Sequence, residues 1–302
     1  IGLWCRGSPV RIRSVAPFFL MRFLSSSLLI FNLVLFPGSI SYAKNFFKAN
    51  PKLVETLNLS YGENSNQVLD IVNSEKCVDS PVILFVHGGS WRWGTKNYHR
   101  IKGKQFAKNG ITFATMNYRL YPEVQFPSFP EDVALSIKWL RQNIAKYGGD
   151  PDKIFLMGHS AGAHSISLVG LNPKYLKKCG GNLTWIKGVI PMSCPYELDP
   201  SKEFLYEDLF PSEFDPEAFM PMAQDVRSDC PPFFIMHGLL DPIVRKEQAK
   251  RFVKKLKDSG GDAKAKVYAS HGHFSLVRRT TSWHVWPKPL LSDIISFIES
   301  KI

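Results

Sequence analysis

The chain predicts an α/β architecture in which a mostly parallel sheet is covered by helices on both faces. Three observations carry that expectation. Apolar runs of strand length alternate with amphipathic stretches of helix length. Several of the runs, such as Val82 to Val86 and Ile154 to Met157, have no polar alternation, as strands buried on both faces require. Polar, glycine-containing clusters follow directly after the runs, at the carboxyl ends of strands where such sheets carry their chemistry.

Taken in order, residues 44–66 read as a leader with turn residues and Val68 to Val72 as a strand. Pro81 to Val86 is the next strand and ends in His87-Gly-Gly-Ser-Trp91. Tyr98 to Lys108 can form a helix, closed by Asn109-Gly110, and Ile111 to Met116 a strand that runs into Asn117-Tyr-Arg-Leu-Tyr-Pro122. From Pro130, residues Val133, Ile137, Leu140 and Ile144 recur at helical spacing up to Gly148-Gly149. A strand from Ile154 then breaks into G-x-S-x-G (Gly158 to Gly162), and a helix over Ala161 to Leu171 follows. Ile186 to Met192 is a strand; residues 195–230 are proline-rich without a strong period and read as a compact insertion. Phe233 to Met236 is a strand ending at His237-Gly-Leu-Leu-Asp241, followed by a helix over 245–258 and a strand over 265–269. The last cluster is Ser270-His-Gly-His-Phe274, and Leu290 to Ile298 makes a closing amphipathic helix.

The 302 residues and 44% hydrophobic content suit one large domain, residues 44–302, preceded by a targeting segment. Residues 1–20 read as translation from upstream of the true start. Met21 to Ala43 has Arg22, a short apolar core from Leu24 to Phe36, and small residues at Ser41 and Ala43, the pattern of a cleaved signal peptide. Its fully apolar run is about half of the ~20 residues a membrane span needs, which leaves an uncleaved anchor as the alternative. The expected location is therefore outside the cytoplasm: secreted, or periplasmic in a bacterial host. Removing four arginines with that segment lowers the formal charge from +12 to +8. This excess favours encounters with anionic surfaces such as a membrane but carries no nucleic-acid signature. The densest basic run, Lys250 to Lys257, reads as a solvated helix face over Phe252, Val253 and Leu256. Cys77, Cys179, Cys194 and Cys230 form either disulfides, with three connectivities open, or buried free thiols. Asn58 and Asn182 fit the N-glycosylation pattern, relevant in a eukaryotic host.

The chemistry converges on Ser160. A strand, a sharp turn and a helix would hold its hydroxyl clear of the backbone, and Gly158 and Gly162 remove side chains that would clash in that turn. A serine hydroxyl needs a base to take its proton, and the base needs a carboxylate to fix its tautomer. Asp241, at a strand end, is the carboxylate candidate, with helix N-cap as its alternative role. His271 and His273, after the next strand, are the candidate bases. The oxyanion of a tetrahedral intermediate needs N–H donors, for which the amides of Ala161, Gly88 and Gly89 are suited. Trp91 and Tyr118 are candidate substrate-binding residues because they follow strand ends; Trp93 and Tyr196 share that placement, and ordinary packing is the competing reading for each. His87 reads as a prop of its loop, and His159 and His164 as packing or pocket-lining residues.

The four clusters, in this order across roughly residues 60–300, resemble the α/β-hydrolase superfamily. The similarity is to its carboxylesterase branch, which holds kynurenine formamidase-like proteins, isoprenylcysteine methylesterases and BD-FAE-type esterases. Residues Tyr147 to His164 are especially similar to that branch, and the HGG-x-W spacing of His87 to Trp91 resembles the formamidases. The resemblance implies a serine carboxylesterase acting on small-molecule esters through a Ser160–His273–Asp241 triad and an acyl-enzyme. His273 is favoured over His271 because His-Phe-Ser-Leu is similar to the segment that carries the base in related esterases. Ser90 replaces the third glycine of the HGGG loop, leaving open which amides donate. No metal or organic cofactor is implied, and no metal-ligand spacing is present. The alternatives are an aryl formamidase and, from a different class, a non-catalytic binding module on the same scaffold. The insertion is short for a lipase lid, which favours small soluble esters. The sequence does not give the oligomeric state.

Overall fold

Successive side chains on a strand point to opposite faces, and β3 (Ser80–Val86) shows the consequence. Val82, Leu84 and Val86 enter one hydrophobic layer and Ile83 and Phe85 the other, all fully buried. A strand of this kind must be covered on both sides, and it is. The computed structural model describes residues 51–198, 206–211, 215–278 and 289–302. The expected targeting segment therefore lies outside the described residues.

Within them, β1 (Leu53–Ser60), β2 (Val68–Ser74), β3, β4 (Thr112–Met116), β5 (Gly149–His159), β6 (Ile186–Met192), β7 (Phe233–Gly238) and β8 (Ala263–Tyr268) form one sheet, ordered β1-β2-β4-β3-β5-β6-β7-β8. β2 is antiparallel to β1 and β4; every other pairing is parallel. The helices in chain order are α1 (Arg100–Lys108), α2 (Ser128–Asn143), α3 (Ala161–Leu171), α4 (Lys174–Lys178), α5 (Pro216–Phe219), α6 (Lys246–Asp258), α7 (His273–Arg278) and α8 (Pro289–Glu299). One layer holds Val133 and Ile137 of α2, Ile166 of α3, and Phe252 and Leu256 of α6. The other holds Phe106 of α1 and Ile294, Phe297 and Ile298 of α8. Burying each such side chain contributes about 1.5–3 kcal/mol of transfer free energy. On α6 the lysines ride on the solvated face as expected, while Lys255 reaches back to the carbonyls of Met222 and Gln224.

Register brings the polar clusters to one edge. Val86 pairs with Met116 on one side and Gly158 on the other, Gly158 with Pro191, Met192 with Met236, and Gly238 with Tyr268. The residues after each strand end therefore emerge side by side.

One expectation changes. Leu53–Ser60, inside the supposed leader, is a strand. A register break between Thr56 and Leu59, with Asn58 at φ +56°, interrupts the period-two pattern that would reveal it. His273 begins a short helix. Of the two alternatives for Cys77, Cys179, Cys194 and Cys230, the structure shows free thiols; Cys194 is buried in the core, where burial raises its thiol pKa. The described part of the insertion is a set of short helical turns whose Phe210 and Phe219 rings meet at 4.5 Å. No helix among the described residues is long and apolar enough to cross a membrane.

Candidate active site

The turn between β5 and α3 is tight because two glycines let backbones touch. A Cβ at Gly162 would sit 2.2 Å from the Val86 carbonyl oxygen, and one at Gly158 2.8 Å from the Gly162 carbonyl group. Ser160, between them, adopts φ +52°, ψ −119°, a conformation that costs a non-glycine residue about 1–3 kcal/mol and persists only where surroundings enforce it. Its amide donates to the Met192 carbonyl at 3.0 Å. Its side chain is half-buried at the amino end of α3, where free N–H groups and the helix dipole favour negative charge.

The loops after β7 and β8 bring Asp241 to His273. Asp241 Oδ2 accepts from His273 Nδ1 at 2.8 Å, and its Oδ1 accepts from the amides of Ile243 and Val244 at 3.0 and 2.9 Å. Burial opposes ionisation of this carboxyl, but the His273 hydrogen bond and the Val244 amide outweigh it and hold the pKa down to about 2. Nδ1 of His273 thus carries the proton, leaving Nε2 free to accept one. His271 is held elsewhere: its Nδ1 lies 3.2 Å from Ser270 Oγ and its ring meets Tyr268 at 5.8 Å. His237 supports the acid from beneath, donating to the Val244 carbonyl at 2.9 Å with Nε2 3.7 Å from Asp241 Oδ2. Its position inside the HGLLD cluster was the only sequence signal for that role.

Gly88 lies against the turn: a Cβ there would come within 3.0 Å of Ser160 Cβ and 2.7 Å of the His159 carbonyl oxygen. Gly89, at φ +126°, accepts from the amides of Arg92 and Trp93. Ser90, in the place of the third glycine of an HGGG loop, nonetheless takes the left-handed φ of +52°. His87 props this loop, its Nδ1–H donating to the Gly88 carbonyl at 2.8 Å. Burial lowers its pKa to about 4, so the ring is neutral.

Ser90, Trp91, Ser160 and Ala161 line a cavity of about 40 Å3, with Leu198, Tyr206 and Ile243 on its other walls. Trp91 is fixed there by Phe210 at 5.2 Å and His164 at 5.0 Å, both edge-on. Tyr118, the other expected substrate contact, is not on the wall. It is buried with its ring stacked on His87 at 4.6 Å and its hydroxyl donating to the His87 carbonyl. A residue after a strand end can turn into the sheet edge as readily as out of it. Tyr196 is also buried, stacked on Phe252 at 4.0 Å, and Trp93 is exposed. A larger groove of about 470 Å3, between β1 and α1, contains none of the motif residues. Among the described residues no His, Cys, Asp and Glu group could hold a metal ion.

Comparison with known proteins places this geometry in context. The BD-FAE family model matches residues 69–256. An isoprenylcysteine alpha-carbonyl methylesterase of Arabidopsis thaliana is 28% identical over 89% of this chain and 67% of its own length. Esterase LipC of Mycobacterium tuberculosis (strain ATCC 25618 / H37Rv) is 31% identical over 65% of this chain and 54% of its own. The chain thus spans about half to two thirds of these relatives. Among solved structures, a truncated carbohydrate esterase from gut microbiota superposes with a TM-score of 0.71 at 20% identity, covering 84% of this chain and 98% of that one. Esterase B from Lactobacillus rhamnosis gives 0.69 at 20% identity, covering 92% and 96%. At such identities these two establish the shared α/β-hydrolase fold.

Proposed function

Because this chain belongs to the BD-FAE family, we propose that it hydrolyses carboxylic esters with Ser160 as nucleophile, His273 as base and Asp241 as its carboxylate. The observation that carries this reading is the 2.8 Å bond between His273 Nδ1 and Asp241 Oδ2, formed at the strand ends beside the strained Ser160 turn. The esterase relatives in plants and mycobacteria support the same chemistry.

In the proposed reaction Ser160 Oγ attacks the ester carbonyl carbon as His273 Nε2 takes its proton. The negative oxygen of the tetrahedral intermediate is met by N–H groups of Ala161, Gly88 and Gly89, each such donor worth about 3 kcal/mol. The carbon–oxygen bond to the alcohol then breaks, and His273 returns the proton to that alcohol. Water, deprotonated by the same imidazole, releases the acid from the acyl-enzyme and restores Ser160.

The cavity beside Ser160 sets the acyl size. At about 40 Å3 it is far smaller than the about 300–1,000 Å3 of drug-sized ligand sites, which favours short acyl groups. Leu240, exposed on the loop that carries Asp241, offers an apolar rim outside that cavity. The test treats purified protein and Ser160→Ala with a fluorophosphonate probe, then assays p-nitrophenyl acetate, butyrate and octanoate alongside N-formylkynurenine. Expected are labelling that Ser160→Ala abolishes and rates falling steeply beyond butyrate. Labelling that survives the substitution removes Ser160 as nucleophile; preferred cleavage of N-formylkynurenine makes the protein a formamidase.

A further inference from the structure

His159 has no part in the acyl-transfer scheme, yet it is built into the site. Only 5% exposed, it places Nε2 2.9 Å from the main-chain carbonyl oxygen of His273. A carbonyl can only accept, so this nitrogen bears the proton and donates. Burial first, then repulsion from His273, pushes the imidazole pKa down to about 3, so the ring stays neutral and a single tautomer is enforced. Its ring lies 4.7 Å from that of His273, centroid to centroid. On its other side it meets the HGG loop: a Cβ at Gly88 would lie 3.0 Å from His159 Nδ1. Through the chain it is bonded directly to Ser160. One residue therefore touches the nucleophile's backbone, the base's backbone and the loop that carries the oxyanion donors.

Asp241 orients the ring of His273 but does not fix where its backbone sits. That segment runs from Gly272 into α7, a helix of 6 residues; the Leu240 amide donates to the His271 carbonyl at 2.9 Å two residues upstream, and the His159 bond is the contact at the His273 carbonyl itself. We propose that His159 is a positioning residue for ester hydrolysis: its Nε2–H tethers the His273 carbonyl and thereby sets the spacing between the base and Ser160. The proposal rests on the serine-hydrolase reading. Misplacing a catalytic group by about 1 Å can cost on the order of 100-fold in rate, so losing this tether should register in turnover rather than in binding.

The test compares wild type with His159→Leu, which removes the donor at similar volume, and His159→Gln, whose side-chain amide offers an N–H of similar reach. For each, thermal melts, kcat and KM for p-nitrophenyl acetate from pH 6 to 9, and the fluorophosphonate labelling rate per active site are measured. Because the labelling rate constant counts only folded sites, it separates mispositioning from loss of folded protein. Expected for His159→Leu is a fall of about 10- to 100-fold in kcat and labelling rate with KM within about threefold. His159→Gln should recover most of the rate. A His159→Leu protein that labels and turns over like wild type overturns the proposal. So does a folded His159→Gln as slow as His159→Leu. A wild-type protein that the probe does not label fails the hydrolase reading instead.

Discussion

Asp241 is the residue on which the proposed site turns, because its two oxygens do different work. Oδ1 is occupied by the amides of Ile243 and Val244, which fixes the carboxyl plane, and Oδ2 then faces His273 Nδ1 at 2.8 Å. Asp241→Asn keeps the shape, but an amide presented to Nδ1 favours the other tautomer and places a proton on Nε2, where the base must be bare. Its kcat for p-nitrophenyl acetate should fall by about 10^4 with KM little changed. A loss below tenfold would mean that Asp241 only caps its loop. The carboxylate, the serine and both candidate bases could be read from strand-end positions because the chemistry demands those residue types after those strands. The positions of Tyr118 and His159 could not. A single residue after a strand can face the cavity or the layer beneath it, and only register and the loop's turns decide which.

At the scale of elements, the strand–turn–helix at β5 and α3 was legible because glycine spacing and hydrophobic run length both specify it. β1 was not, since its bulge at residues 56–59 scrambles the alternation and its residues are mostly exposed. Nor was α7, which at 6 residues is too short to show a period. The glycine argument makes a firm statement about the turn. Gly162→Ala puts a methyl carbon 2.2 Å from Val86 O, at the end of β3, and 2.5 Å from His87 O, in the loop that follows it. Val86 cannot move without breaking β3 pairings on two sides. The substitution should cost more than about 3 kcal/mol, read as a lower urea midpoint or as insoluble protein. Gly110→Ala is the informative control: its φ is +77° but a Cβ there meets nothing within 4 Å, so it should cost only about 1–2 kcal/mol of backbone strain.

Across the whole molecule, burial of neutral imidazoles makes stability depend on acid. His87, His159 and His164 are at most 5% exposed, and burial is the leading cause that lowers their pKa values to about 4, 3 and 3. In the unfolded chain each returns to about 6.5. Below that pH the unfolded state binds protons that the folded state refuses, so stability falls as pH falls, by up to about 1.4 kcal/mol per pH unit for each histidine. Integrated from pH 7 to pH 5, each loses about 2 kcal/mol, and the three together about 6 kcal/mol. That is comparable with the whole stability of a domain, about 5–15 kcal/mol. Asp241 acts only further down, its contribution fading below about pH 4 as the unfolded carboxyl protonates. Urea midpoints measured at pH 7.5, 6.5, 5.5 and 5.0 should therefore drop steeply below pH 6.5. His164 allows the cause to be isolated, since it is wedged between Trp91 and Phe210 on α3 and has no role in the proposed reaction. His164→Phe should reduce the dependence by about one proton, flattening the slope by about 1.4 kcal/mol per pH unit. A midpoint unchanged between pH 7.5 and 5.0 would mean that these imidazoles titrate normally inside the fold, in conflict with their burial.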